Sequence, residues 1–127
     1  IWLATYEGIE LFDRNQETFT FYEIGWSRSI CEDKTGFLWI GTDRGLCLFN
    51  PGNKRFRYFS TGVKADNNPD NKLIWKTFLD KNGEIWLGMY KGNLLHVNHR
   101  HNYLWVQVNL SPYYISTYTV SSIHNVF

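Results

Sequence analysis

Short runs of apolar and aromatic residues, each closed by a turn rich in Gly, Asn or Asp, follow one another along most of the chain. In the middle of the chain this pattern predicts four strands, at 29–32, 37–42, 46–50 and 55–59. Turns at 33–36, 43–45 and 51–53 separate them, each holding a Gly that supplies positive φ where other residues would strain. No stretch sustains a helical period with caps, and Ala is nearly absent. The fold class is all-β.

The runs repeat. Trp2, Trp39 and Trp86 are each followed six residues later by Gly8, Gly45 and Gly92, and then by Leu11, Leu48 and Leu95. A gap-free overlay keeps two further positions aromatic: Phe19, Phe56 and Tyr103, then Phe21, Tyr58 and Trp105. Upstream, Asp33-Lys34-Thr35-Gly36 precedes Trp39 as Asp80-Lys81-Asn82-Gly83 precedes Trp86. The spacings are 37 and 47 residues, and the ten extra residues fall in a polar, breaker-rich loop predicted at 60–72.

Four hairpin-linked strands recurring at about 40 residues are the mark of propeller blades. The reading is a partial β-propeller, about three four-stranded antiparallel blades forming an arc of a larger ring. Residues 1–127 form one fragment of a propeller domain. Strands two to four of a first blade fill 1–24, a second blade 28–60 and a third 73–108. Residues 119–127 are expected to open a next blade, with Ser122-Ile123 matching Ser29-Ile30. An arc leaves apolar blade faces and strand edges open, so the remaining blades of a parent, or another copy, are expected to cover them. The abrupt start at Ile1-Trp2 reads the same way, as a piece of something longer.

The run from Glu32 to Leu46 resembles the repeat of the two-component regulator propeller family, E-D-x-x-G-x-L-W-I-G-T-x-x-G-L. The third unit is similar through Asp80, Gly83, Trp86, Leu87 and Gly88, and the first through Trp2, Leu3, Thr5, Gly8 and Ile9. Ala4, Leu79 and Met89 depart from the pattern. The resemblance implies the periplasmic sensor region of a hybrid two-component protein, outside the inner membrane, with a histidine kinase elsewhere in the parent. It also implies an oligosaccharide or other small ligand, and membrane contact only through the parent.

Composition narrows the alternatives. With 43% hydrophobic and 20% charged residues, the chain is neither a disordered tail nor a coiled coil. A net charge of +1 gives no concentrated basic face, so nucleic acid is not an expected partner. No apolar run approaches the ~20 residues that span a bilayer. Aromatic residues reach 18%, which suits pleated, half-buried surfaces. Cys31 and Cys47 are predicted two strands apart in one sheet, about 9.6 Å, too far for a disulfide. Both are read as small buried hydrophobes.

Most of the chemistry-bearing residues belong to the repeat. Trp2, Gly8, Asp33, Gly36, Trp39, Gly45, Asp80, Gly83, Trp86 and Gly92 recur because each blade needs them. Asp33 and Asp80 are expected to cap their own turns rather than act as catalytic carboxylates. His96, His99 and His101 are read as a polar turn and not a metal set, and no cofactor is expected. The candidate ligand face gathers loops entering the first strands with the turns between strands two and three. It carries Tyr6, Glu7, Trp26, Asp43, Arg44, Trp75, Tyr90 and Lys91, a mixture of rings and charges suited to a sugar. The leading reading is a non-catalytic ligand sensor. A protein-interaction scaffold is the alternative, and a propeller-fold glycosidase or lyase lacks a non-repeated carboxylate pair to support it.

Overall fold

The computed structural model of the chain describes residues 1–59, 73–90, 94–98, 104–108 and 120–121, with side chains up to 97. Every element among them is a strand. The first sheet holds β1 (Trp2–Ala4), β2 (Gly8–Asp13) and β3 (Thr18–Glu23). The second holds β4 (Ser27–Glu32), β5 (Leu38–Thr42), β6 (Gly45–Asn50) and β7 (Arg55–Phe59). The third holds β8 (Ile74–Leu79), β9 (Ile85–Met89), β10 (Leu94–Asn98) and β11 (Leu104–Val108), with β12 (Val120–Ser121) beside β11. Neighbours in each sheet are antiparallel and consecutive in sequence, the meander that the hairpin pattern predicts.

Two apolar layers hold the sheets together, one on each face of the middle sheet. Between the first and second lie Ile9, Ile24, Leu38, Ile40, Cys47 and Phe49, with Trp2 packed against them. Trp2 meets Phe49 edge-on at 5.6 Å. Between the second and third lie Trp39, Leu46, Leu48, Phe59, Ile74, Ile85 and Leu87. Strand β5 is covered on both faces and every one of its residues is buried. At the inner edge, β8 packs on β4 and β5. There the Ser29 and Thr77 hydroxyls bond at 2.9 Å, and the Thr77 N–H donates to Ser29 Oγ at 2.7 Å.

The D-x-x-G turn explains its own conservation of spacing within the chain. Asp33 Oδ1 accepts the N–H groups of Thr35 and Phe37, at 2.8 and 3.1 Å, and Oδ2 accepts the Trp39 indole N–H at 2.8 Å. Asp80 does the same with Asn82, Glu84 and Trp86. Gly36 and Gly83 close the turns at φ of 87° and 82°. One carboxylate thus holds both the turn and the repeated Trp. Burial works to raise the Asp33 pKa, but bonds from the Thr35 hydroxyl, the Trp39 indole and two backbone N–H groups prevail and hold it low. The Trp86 indole and the Glu84 N–H hold Asp80 low as well. Cys31 and Cys47 are free and lie on either side of β5. Cys47 is fully buried, which pushes its thiol up to about 12, while Cys31 is only half-buried.

Two expectations change. Val120–Ser121 does not open a next blade: it pairs antiparallel with Trp105 and Val106 at the outer edge of the third sheet. An unpaired edge strand is a ready template for such pairing. The rest of 119–127, the 60–72 loop, Lys91, Gly92, His99 and His101 lie outside the described residues. The second change is register. Trp2 faces Leu11 and Trp39 faces Leu48, but Trp86 faces His96, not Leu95. A one-residue slip turns each side chain to the other face. Leu95 therefore joins the layer against the second sheet, and His96 stacks on Trp86 at 4.1 Å.

Two outcomes follow from these contacts. A Cβ at Gly41 would stand 2.7 Å from Ile74 Cγ2, whereas at Gly88, the matching position in the third sheet, the nearest atom is 3.8 Å away. Gly41→Ala should cost about 1–3 kcal/mol in urea unfolding, and Gly88→Ala should stay within about 0.5 kcal/mol of the parent. Because Asp33 and Asp80 titrate below an unfolded carboxylate, their support is complete above about pH 4 and fades as pH falls through their lower native values. The stability gap between the parent and an Asp33→Asn/Asp80→Asn variant should therefore narrow steadily from pH 5 to about pH 2. A constant gap would refute the linkage.

Candidate functional site

The inner strands of the second and third sheets each break register near their start. The pairing of β4 with β5 shifts between Ser27 and Ser29, and that of β8 with β9 shifts between Ile74 and Lys76. The residues left over are Arg28 and Trp75, 47 positions apart, the same spacing as Trp39 and Trp86. A bulge leaves one residue unpaired and re-aims its side chain. Here both side chains turn toward one another. The Arg28 Cζ lies 4.0 Å from the centre of the Trp75 ring on one side and 3.7 Å from the Trp26 ring on the other.

The stack extends outward in both directions. Tyr6, in the β1–β2 turn, lies on Trp26 at 5.3 Å with the rings 15° apart. Tyr90, just after β9, lies against Trp75 at 5.3 Å and 31°. The result is a ladder, Tyr6–Trp26–Arg28–Trp75–Tyr90, drawn from all three sheets. Three of its members stay open to solvent: Tyr6 is 79% exposed, Trp75 48% and Tyr90 51%. A groove of about 420 Å³ runs beside it, lined by Ala4, Thr5 and Tyr6, then Trp26 and Arg28, then Trp75. That volume lies within the ~300–1,000 Å³ range of small-molecule clefts.

Backbone hydrogen bonds fix the loops that carry the ladder. The Ser27 N–H donates to the Thr5 carbonyl at 2.9 Å, and the Gly25 N–H to the Glu7 carbonyl at 3.2 Å. The Asp43 N–H donates to the Trp26 carbonyl, and the Tyr90 N–H to the Leu73 carbonyl, the matching bond one blade on. Thr42 Oγ1 donates to the Gly45 carbonyl at 2.7 Å and accepts the Arg44 N–H, closing the β5–β6 turn. The ladder thus stands on a braced rim.

Of the eight residues predicted for the ligand face, Tyr6, Trp26, Trp75 and Tyr90 come together. Glu7 borders a second shallow groove with Tyr6, Glu10 and Phe21. Asp43 and Arg44 fold over Gly25, whose missing Cβ would stand 3.1 Å from Asp43 Oδ1 and 3.3 Å from Arg44 Nε. Arg44 also reaches the Tyr58 hydroxyl, which burial pushes up and which donates to the Ile24 carbonyl. Lys91 is outside the described residues. Arg28 was not foreseen from the sequence, although its 47-residue offset from Trp75 was a signal.

Other polar clusters are accounted for locally. His96 Nε2 sits 2.8 Å from Glu84 Oε2, and the His96 ring stacks on Trp86. Among the described residues no group of three His, Cys, Asp or Glu side chains converges.

No curated protein matches the chain. A model of the two component regulator propeller family matches residues 24–44, the stretch that runs from the braced linker through Arg28 and the Asp33 turn to the β5–β6 turn. That middle repeat is thus similar to a repeat of the two component regulator propeller family.

Proposed function

We propose that this propeller module is a non-catalytic, ligand-sensing part of a two-component regulator, lying outside the inner membrane, and that it binds an oligosaccharide along the rim. The observation that carries the reading is the ladder from Tyr6 to Tyr90. Flat rings accept the C–H faces of a sugar, and polar groups between them hydrogen-bond its hydroxyls. Half-exposed rings set in a row over three sheets suit a chain of sugar units better than a single compact molecule. Signalling then needs only that binding shift the relation between blades, since the ladder crosses two sheet-to-sheet contacts. The remaining blades of a parent, or a second copy, would cover the open sheet faces.

The scaffold reading draws on the same exposed rings, since Trp and Tyr also anchor protein contacts. Calorimetry of a parent ectodomain containing these blades against a neutral and acidic glycan panel, with product analysis, separates the readings. Heat without product is expected. Turnover would make it an enzyme, and silence across the panel would leave the scaffold. Within the sensor reading, Trp26→Ala and Trp75→Ala should each weaken a binding glycan about tenfold or more. Their melting temperatures should stay near that of the parent, because both rings lie on the rim and outside the two apolar layers.

A further inference from the structure

The groove contains one cation in an unusual state. Arg28 is held between two indole faces, and its Nε is closed off from solvent with no hydrogen-bond partner. No ion pair joins Arg28 to a carboxylate among the described residues, and no described acceptor bonds its guanidinium. Arginine in a merely structural stack normally bonds a carbonyl or an acid as well, because a guanidinium carries five N–H donors. An unsatisfied buried donor is costly and calls for a reason. Stacking leaves the guanidinium plane fixed and its outer N–H edge free, the arrangement that meets a carboxylate in two parallel bonds.

We infer that the site recognises an acidic sugar, with Arg28 binding the carboxylate of a uronic acid unit while the flanking rings take the neighbouring units. This deepens the oligosaccharide reading and rests on it. Three features point to a carboxylate on a sugar and away from a small free anion. Among the described lining residues the cation is single, so it suits one charge per unit and not a dense polyanion. It is walled by rings on both sides, so the carboxylate must arrive on a ligand whose body can lie along them. And the groove is lined by Tyr6 and Trp75, both exposed rings on which further sugar units can lie. The bulge supplies the geometry: in regular register Arg28 would alternate with its neighbours and could not lie between Trp26 and Trp75.

The test uses paired ligands on the full protein that carries these blades. Unsulfated tetra- to hexasaccharides of oligogalacturonate, oligoalginate and hyaluronan are each compared with their carboxyl-reduced forms, which keep linkage and ring shape. Binding is read by calorimetry and tryptophan fluorescence. At least one acidic series should bind ten times or more tightly than its reduced form. Raising salt from 50 to 500 mM should weaken that binding, and Arg28→Gln should erase both the preference and the salt effect. Arg28→Lys should recover only part of the preference, because an ammonium keeps the charge without the planar fork. Reduced sugars binding as well as their acidic parents would overturn this inference and leave the oligosaccharide reading in place. An acidic preference unchanged in Arg28→Gln would remove Arg28 from the role. Failure of every acidic and reduced series to bind, while another glycan of the wider panel binds, would overturn the inference alone, and silence across the whole panel would overturn the oligosaccharide reading with it. The wild-type comparison decides between these even if Arg28→Gln folds poorly.

Discussion

The spacing between the second and third sheets rests on a few small atoms at their inner edge. Ser29 and Thr77 exchange two hydrogen bonds there, both fully buried, and Gly41 lets Ile74 approach closer than a Cβ would permit. Buried hydroxyls need partners, so this pair has one satisfactory distance, and the apolar layer must fill whatever gap that distance leaves. Trp39 fills it. The consequence reaches the rim, because Arg28 precedes Ser29 and Trp75 lies two residues before Thr77. A guanidinium fits between two indoles only if the sheets that carry them are held to a few tenths of an ångström.

The repeated Asp works at a different place with the same logic. Its carboxylate bonds the turn with one oxygen and the indole with the other, so the chain reversal and the orientation of the inter-sheet ring are set together. Turn, ring and layer become one unit that can be copied along the chain. What differs between copies is then confined to positions that the unit does not use, which is where the rim residues sit.

This division explains what could be read in the sequence. The strands of the middle sheet, the blade count and the capping role of Asp33 follow from alternation and from residues that recur at one spacing. Four of the rim residues follow from knowing which loops share a face. Arg28 escaped because its position holds Arg in one blade and Trp in the next, so a search for repeated residue types passes over it. The bulge that aims it leaves no mark in the alternation of apolar and polar positions. The slip in β10 was hidden for another reason: Leu94, Leu95 and Val97 offer an apolar face in either register. Which one is taken depends on partners in β9 and not on the run itself.

That slip gives the third sheet a surface unlike the second. Where the middle sheet turns Leu48 and a buried indole to its neighbour, the third turns an imidazole, its glutamate and an indole that is only partly covered. A sheet shaped to sit on the first of these surfaces would leave the second with an imidazole and a carboxylate stranded in a dry contact. The blades are therefore not interchangeable tiles. The register of one hairpin is enough to give the second and third sheets faces that suit different neighbours.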